Sequence, residues 1–280
     1  MQKTKSILKK KFPSIFRFLK NMYVNTVYYK NKCQKLKKVQ SINQEKKARK
    51  ESKIMNDVFN NEFIVQNGHF KGMKYIKRSN CSALLPKILG SYEEPIQKWI
   101  IEVIEDEKYE NILDIGCAEG YYACGFSMRM PNAKITAYDI DEDARKNSIE
   151  LKELNGLSNI EIKAECTHEE LNSKSKSNTL VFCDIEGFEK ILLDPSKAPN
   201  LKYVDMLIES HDWLVPNITE ELISRFYETH SMRIIIDYPY RINKYDTPQK
   251  LTNDQFNYIT DEIRPKFMKF IYMKSYEGKI

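Results

Sequence analysis

Short apolar blocks alternate with amphipathic stretches from about residue 110 to the end of the chain. The blocks have the length and the β-branched and aromatic content of buried strands, whereas the stretches between them repeat apolar residues at helical spacing. Strands are predicted at 111–115, 134–140, 160–165, 179–185, 204–210, 232–238 and 266–274, and helices at 120–129, 141–154, 187–193, 217–229 and 253–263. This alternation predicts an α/β fold with a mostly parallel, seven-stranded sheet and helices on both faces.

The N-terminal segment has a different pattern. Apolar residues such as Leu8, Phe12, Ile15 and Leu19 recur at helical spacing among lysines and arginines, which predicts a basic amphipathic helix. The chain is therefore expected to have three parts: a basic helical extension at 1–53, an N-terminal hairpin and lid or helix region at 54–108, and the α/β domain at 109–280.

Two local signals shape the middle region. Glu62 to Val65 is predicted to pair with Met73 to Lys77 in a small hairpin that turns at Asn67-Gly68. Ser91-Tyr92-Glu93-Glu94 has the form of a capping box, and it predicts a helix that runs to about Ile104.

Charge is divided unevenly along the chain. Residues 1–53 contain 17 lysines and arginines and two acids, whereas the other 227 residues contain 28 basic and 37 acidic groups. Three roles are open for this basic arm, in order of preference. It packs on the body or on a second copy in a homo-oligomer, it contacts an anionic membrane surface, or it tracks nucleic-acid phosphates.

The six cysteines and the lack of a long apolar run indicate the compartment. No Cys-x-x-Cys pair occurs, and several cysteines lie within apolar patterns, which predicts buried reduced thiols as in cytosol. No run approaches the ~18 apolar residues that span a bilayer. The N-terminus also lacks the continuous apolar core of a signal peptide. A cytoplasmic protein is expected, at the inner face of the membrane if the arm binds lipid.

The turn that follows the first predicted strand has the residues of a nucleoside-cofactor site. An apolar strand ends near Asp114, and Gly116 and Gly120 lie in the turn before the next helix, where glycine lets a ligand approach the backbone. Asp139 ends the following strand, where an acid can bind both ribose hydroxyls.

The spacing of the glycines discriminates between cofactors. A dinucleotide fingerprint needs Gly-x-Gly-x-x-Gly, but three residues separate Gly116 from Gly120, and Glu119 places a negative charge near the expected pyrophosphate. A phosphate loop would also need a Gly-Lys-Ser/Thr end. A cofactor with a cationic sulfonium and no phosphate fits this turn better.

The turn resembles motif I of the S-adenosylmethionine-dependent methyltransferases. Asp184-Ile185-Glu186-Gly187-Phe188-Glu189 is similar to the Asp-x-Glu-Gly-x-Glu signature of FkbM-like methyltransferases. Further similar pieces lie at Gly90 to Glu93 and Glu209 to Asp212, and the resemblance covers residues 65 to 275. It implies a Rossmann-like methyltransferase fold whose last two strands are an antiparallel edge pair. Cys117-Ala118 departs from the family, in which many members have another glycine there.

The resemblance also implies the residues that bind S-adenosylmethionine. Gly116 and Gly120 would shape the turn around the methionine part, Asp139 would bind the ribose, and the end of the third strand would flank the adenine. The expected cofactor-binding residues are Asp114, Gly116, Cys117, Ala118, Glu119, Gly120, Tyr121, Asp139, Ile140, Glu165, Cys166 and Asp184.

His211 is the expected catalytic base, because an unperturbed imidazole titrates near neutrality and an alcohol acceptor needs its proton removed. Glu209 and Asp212 are expected to orient it, and Asp184 and Glu186 are competing catalytic candidates. Structural roles are also open, since Glu186 lies at a helix start and His211 at a strand end. Asp184, Glu209 and His211 have the chemistry of metal ligands, but no spacing demands a metal and none is predicted.

The expected function is transfer of a methyl group from S-adenosylmethionine to a hydroxyl of a glycan or small molecule, in surface polysaccharide biosynthesis. The alternative is an RNA methyltransferase that uses the basic arm. Amino-directed nucleic-acid methyltransferases need Asn/Asp-Pro-Pro-Tyr/Phe after the fourth strand, where this chain has Asp184-Ile-Glu-Gly. An acidic body also repels phosphate. A scaffold without activity is the least favoured option.

We expect the full-length chain to retain RNA no better than the chain without residues 1–53, once salt approaches physiological strength. Non-specific retention by a basic arm should be weak and strongly salt-dependent. Filter binding of a mixed RNA pool at low and physiological salt measures this. Salt-resistant retention that requires residues 1–53 would favour the RNA alternative.

Overall fold

A computed structural model describes residues 45–80, 82–238, 240–264 and 266–277. The chain divides after Ile54 into two units. In the first, residues 45–54 are helical, and the rest of the predicted extension lies outside the described residues. No helix in the described ranges is both long and apolar enough to cross a membrane.

The second unit, residues 55–280, contains the α/β domain. Residues 55–59 are helical, and the later helices are Leu84–Leu89, Gln97–Glu105, Tyr121–Arg129, Glu142–Leu154, His168–Lys174, Glu189–Leu192, Ile218–Phe226 and Asn253–Ile259. Short 3₁₀ helices cover Glu94–Ile96 and Pro199–Tyr203. The strands are β1 Asn111–Ile115, β2 Lys134–Tyr138, β3 Ile160–Lys163, β4 Thr179–Cys183, β5 Asp205–Ser210, β6 His230–Asp237 and β7 Met268–Ser275.

The seven strands form one sheet in the order β3-β2-β1-β4-β5-β7-β6. Strands β1 to β5 are parallel, and β7 runs antiparallel between β5 and β6. The predicted mostly parallel sheet and its antiparallel edge pair are confirmed. Each predicted strand is present, with ends displaced by at most a few residues.

Both faces of the sheet are covered, as strand β4 shows. All five of its residues are buried, which is typical of a central parallel strand. Phe182 contacts the rings of Tyr122 and Phe126 on helix Tyr121–Arg129. Its neighbours Val181 and Cys183 point to the opposite face and join a cluster with Leu171, Leu192 and Leu222.

The register brings the carboxyl ends of the parallel strands together. Ile115 pairs with Tyr138 on β2 and with Cys183 on β4, and Cys183 pairs with Ile208 on β5. The residues just beyond these positions therefore lie along one edge of the sheet, where ligands bind in open α/β folds.

The capping-box prediction at Ser91 is wrong. The α-helix begins at Gln97, after the 3₁₀ turn Glu94–Ile96, and Glu93 has a left-handed backbone. The Glu94 carboxylate, which a capping box would direct to the Ser91 backbone, accepts hydrogen bonds from Lys244 and Tyr245 instead. Partners far along the chain thus displaced the local cap.

Two helices were not predicted. Helix Leu84–Leu89 ends at Gly90, whose left-handed backbone terminates it. Helix His168–Lys174 begins after Thr167, whose hydroxyl accepts from the Glu170 amide. Thr167-x-x-Glu170 is a local start signal that could have revealed this helix. The predicted hairpin is present as a bridge between Ile64 and Lys74.

A buried ion pair fastens residues 75–87 to the glycine turn. The Lys87 ammonium lies 2.6 Å from Glu119 Oε1, with the two side chains 3% and 0% exposed. Glu119 also accepts from the Tyr75 hydroxyl at 2.7 Å and from the Asn80 amide at 3.0 Å. The Lys87 ammonium further lies 4.7 Å from the centre of the Tyr92 ring.

Replacing Lys87 by methionine should lower the free energy of unfolding by about 3–5 kcal/mol, because it leaves the Glu119 carboxylate buried without a counter-charge. The double variant K87M/E119L should lose less than the sum of the single variants. Urea denaturation measures all three, and the exposed Lys146→Met serves as a matched control without effect. Additive losses would show that the pair is not coupled.

Candidate active site

The glycine turn, residues 116–120, lies directly against the end of β4. The Gly116 and Cys117 amides donate to the Tyr138 carbonyl at 2.8 and 2.9 Å, and the Asp184 amide donates to the Ile115 carbonyl at 2.9 Å. Gly116 has a φ of 88°, and a Cβ there would lie 1.7 Å from the Asp184 carbonyl oxygen. Only glycine allows this contact, which joins the two strand ends.

A cleft of about 950 Å³ opens at this edge of the sheet. Twelve of the residues expected to bind the cofactor or to act in catalysis line it: Asp114, Gly116, Cys117, Ala118, Tyr121, Asp139, Ile140, Glu165, Cys166, Asp184, Glu186 and His211. The convergence of four strand ends on one cleft agrees with the sequence-based expectation.

Glu119 and Gly120 do not line the cleft, in contrast to the expectation. Glu119 faces the buried Lys87 network, and Gly120 is packed so closely on helix Glu142–Leu154 that a Cβ would lie 2.6 Å from Ser148 Oγ. Lys87 neutralises the charge of Glu119, so this carboxylate does not repel a pyrophosphate, contrary to the expectation. The turn still lacks the third glycine of a dinucleotide site.

Asp139 organises the turn from the neighbouring strand. Its carboxylate accepts from the Ala118 amide and from the Asp141 amide, both at 2.8 Å. Ala118 has a φ of 47°, a conformation that a non-glycine residue holds only when its surroundings support it. Strand β2 ends at Tyr138, before the predicted boundary.

Asp114 places an unpartnered carboxylate oxygen at the cleft. The residue is 2% exposed, and its Oδ2 atom has no hydrogen-bond partner. Burial, together with repulsion from Asp184, raises the pKa of Asp114 to about 8. Since an unpaired buried charge is costly, this position favours a cationic ligand.

His211 is buried beside the ends of β4 and β5, with both ring nitrogens facing carboxylates. Its Nδ1 atom lies 2.8 Å from Glu189 Oε1, and its Nε2 atom lies 3.5 Å from both Asp184 Oδ1 and Glu186 Oε2. Because the close contact to Glu189 favours the tautomer with hydrogen on Nδ1, Nε2 remains free to accept a proton.

The carboxylates change the acidity of this imidazole. Burial lowers the pKa of His211, but the Glu189 hydrogen bond and the charges of Asp184 and Glu186 outweigh it and raise the pKa above its ordinary value. Burial also raises the pKa of Asp184, against the opposing effect of His211. Shifted pKa values of this kind are frequent at functional sites.

The predicted partners of His211 are elsewhere. Glu209 forms an ion pair with Arg264, and Asp212 binds the Thr219 hydroxyl and the Lys269 ammonium. Neither Glu209 nor Asp212 orients the imidazole, because both are held by groups on other elements. Glu189 takes this role, and it also accepts the Ile185 amide at 2.9 Å.

The same group has the composition of a metal site. Asp184, Glu189 and His211 each offer a ligand atom, and these atoms lie within 4.8 Å of one another. Glu189 therefore replaces Glu209 in the ligand set considered from the sequence. One Glu189 oxygen already contacts His211. Glu189 can therefore either orient the histidine or bind a metal directly.

Three contributors to the site were not identified from the sequence: Glu189, Lys87 and Arg264. Glu189 belongs to the Asp184 to Glu189 signature that follows β4, so the sequence could have identified it as a site residue. Lys87 and Arg264 also line the cleft, but they do not lie at the ends of parallel strands. No local sequence pattern identifies them as site residues.

The four cysteines within the described ranges are buried, and His230 has structural surroundings. Cys117, Cys124, Cys166 and Cys183 are free and buried, as predicted, and burial raises the pKa of Cys166 to about 12. Such thiols are poor nucleophiles at neutral pH. His230 lies 2.9 Å from the Val204 carbonyl oxygen, consistent with the structural role expected for it.

Replacing Glu189 by glutamine should lower the pKa of His211, because a neutral amide removes the negative charge that stabilises the imidazolium. NMR titration of the His211 ring measures this. Glu221→Gln, an acid on helix Ile218–Phe226, is the control and should leave the titration unchanged. An unaltered His211 pKa in the Glu189 variant would contradict the orienting role.

Solved structures with a similar fold include three bacterial or archaeal proteins. A precorrin-6y C5,15-methyltransferase of Geobacter metallireducens is 9% identical, with a TM-score of 0.42 and coverage of 64% of this chain and 87% of that one. A SAM-dependent O-methyltransferase of Thermotoga maritima is 13% identical, with a TM-score of 0.41 and 65% of each chain covered. A precorrin 8w decarboxylase of Methanobacterium thermoautotrophicum is 12% identical, with a TM-score of 0.42 and coverage of 64% and 89%. Likenesses this distant assign no substrate.

A search of curated sequences gives no significant match. The model of a family described as "Methyltransferase domain" matches residues 106–277, which contain every strand of the sheet and all twelve cleft residues named above. S-adenosylmethionine is the methyl donor of such a domain. The chain therefore belongs to the methyltransferase domain family.

Proposed function

We propose that this methyltransferase transfers the methyl group of S-adenosylmethionine to a hydroxyl of a glycan or another small molecule. One observation carries the proposal: the His211 imidazole is fixed through Nδ1 by Glu189 and presents Nε2 at the cleft, next to Asp184 and Glu186. A buried, oriented imidazole is suited to remove a proton from an alcohol.

The residues of the cleft fit the donor. Its ammonium group and sulfonium are cationic, and the unpartnered Asp114 oxygen lies in a cleft lined by further carboxylates. Asp114 or Asp184 would bind the ammonium, Asp139 the ribose hydroxyls, and Glu165 with Cys166 the adenine edge. When bound, S-adenosylmethionine supplies an already activated methyl group.

The protein's task is then to position the acceptor and to accept its proton. The methyl group moves in an in-line displacement, so much of the rate depends on alignment. His211 takes the hydroxyl proton on Nε2, and Glu189 stabilises the resulting imidazolium through Nδ1. Asp184 and Glu186 lie close enough to Nε2 to orient the acceptor hydroxyl or to share its proton.

The resemblance of Asp184 to Glu189 to the FkbM-like signature supports a sugar or natural-product acceptor. A place in surface polysaccharide synthesis would suit a cytoplasmic enzyme whose basic residues 1–53 contact the anionic inner face of the membrane or a second copy of the chain. The RNA alternative is disfavoured at the cleft, since its carboxylates would repel a phosphate backbone.

His211→Asn should lower turnover by roughly 10²- to 10⁴-fold, the range for loss of a general base, while donor affinity stays unchanged. Release of S-adenosylhomocysteine with a mixed panel of monosaccharides and amino sugars measures turnover, and calorimetry measures donor binding. His168→Asn is the matched control. Equal turnover of His211→Asn and the wild type would exclude His211 as the base.

The pH profile provides a second readout of the same variant. Because the base must be deprotonated and the His211 pKa is raised, the rising limb of kcat/KM should have its midpoint above pH 6.5. The limb should disappear in His211→Asn.

Chelation of divalent cations should leave the wild-type rate unchanged. Loss of activity that Mg²⁺ or Mn²⁺ restores would favour metal activation by Asp184, Glu189 and His211.

A further inference from the structure

One wall of the cleft consists of residues that, apart from Asp184, have no role in binding the donor. These residues follow β4, lie at the end of β5 or precede β7, and we call them the acceptor wall: Asp184, Glu186, Glu209, His211, Glu262 and Arg264. Four of the six are carboxylates. The wall therefore determines the charge of the molecule that it can accept.

Each lysine or arginine that lines the described part of the cleft already has a carboxylate partner. Lys87 lies 2.6 Å from Glu119, and Lys190 lies 3.7 Å from Glu221. Arg264 contacts Glu209 and lies 3.1 Å from Glu262. A phosphate, sulfate or carboxylate on the acceptor would find no unpaired cation among these residues, and it would face the carboxylates of the wall.

The wall residues Glu209, Glu262 and Arg264 belong to a buried network in which acids outnumber bases. Its four acids and two bases are Glu93, Glu209, Asp237, Glu262, Arg241 and Arg264. All four carboxylates belong to buried side chains, each 4% exposed or less. Two negative charges are thus in excess where water cannot screen them, and this is costly unless a proton or a further cation is present.

The acidities of these groups agree with that imbalance. Burial, followed by repulsion from Asp184, raises the pKa of Glu209, and Arg264 opposes the rise. Burial raises the pKa of Glu262 to about 7, although Arg264 is close to it. Glu209 and Glu262 both line the cleft.

We propose that the acceptor carries a protonated amine, which Glu209 and Glu262 bind beside Arg264 while its hydroxyl faces His211. Amino sugars and amino alcohols have this chemistry. The assignment rests on the proposed function and specifies its substrate class. The exposed side chains of Trp213 and Ile263, which also line the cleft, provide apolar walls for the carbon skeleton.

The amine directs binding and is not itself methylated. A protonated amine has no free electron pair, whereas the hydroxyl oxygen can attack the methyl carbon. The new carbon–oxygen bond forms as the carbon–sulfur bond breaks, and the electron pair of the broken bond remains on sulfur. The hydroxyl proton passes to His211 Nε2. The products are S-adenosylhomocysteine and an amino sugar or amino alcohol that is methylated on oxygen.

Three probes with the same sugar ring test the proposal: glucosamine, N-acetylglucosamine and glucuronate. Their binding to the full chain is measured by calorimetry or ligand-observed NMR with S-adenosylhomocysteine present. Glucosamine should bind tighter than N-acetylglucosamine by about tenfold or more, as loss of a buried charge partner predicts, and glucuronate should bind least. Glu262→Gln should abolish the preference, and exposed Glu142→Gln should retain it.

Glu209→Gln provides a second variant with the same expected loss if Glu262→Gln fails to fold. Equal binding of glucosamine and N-acetylglucosamine, tighter glucuronate binding, or no binding of any probe would overturn the proposal. Failure of the proposed function has a different signature. In that case no oxygen-methylated product forms with any acceptor, whereas O-methylation without an amine preference overturns only the substrate class.

Discussion

The close approach of the β1 turn to the end of β4 is the contact on which the cleft depends. At Gly116 the backbone passes so near the Asp184 carbonyl that no side chain can be accommodated. This contact continues the parallel register of β1 and β4 beyond the last paired residues, Ile115 and Cys183. It places Asp114 and Asp184 at one edge of the sheet, and Asp139 joins them from β2. The donor and the acceptor can therefore be bound side by side.

The same approach has an electrostatic cost, because it gathers carboxylates where little water can reach them. The protein offsets part of this cost with cations from distant parts of the chain: Lys87 at Glu119, Arg264 at Glu93 and Glu209, and the imidazole of His211. The remaining negative charge is concentrated at the cleft, where Asp114 has an unpartnered oxygen. A cationic donor relieves this repulsion, and so would a cationic acceptor. The excess of negative charge at the cleft thus affects both ligand binding and the acidity of the catalytic groups.

Much of the fold could be predicted because its signals are local. Strand β4 is apolar throughout, as a central parallel strand must be, and the order of alternating elements leaves few arrangements of the sheet. The convergence of Asp139, Asp184 and His211 followed from the rule that parallel strands end at the same edge. Errors arose where a side chain had a better partner far along the chain. Glu94, the acid of the predicted capping box, binds Lys244 and Tyr245 instead of the Ser91 backbone.

The periodic pattern, the glycine turn and the set of strand-end acids can be recognised from the amino-acid sequence, because each depends on residues that are neighbours along the chain. Contacts that form only in the folded chain determine which acid holds His211, which cation neutralises Glu119 and which carboxylates have no counter-charge. Glu189 reaches His211 through a backbone that is left-handed at Glu186 and Gly187, and Arg264 lies 2.7 Å from Glu93, a residue far earlier in the chain. Such pairings depend on packing across the fold, where low dielectric makes each charge sensitive to groups that no local pattern can identify.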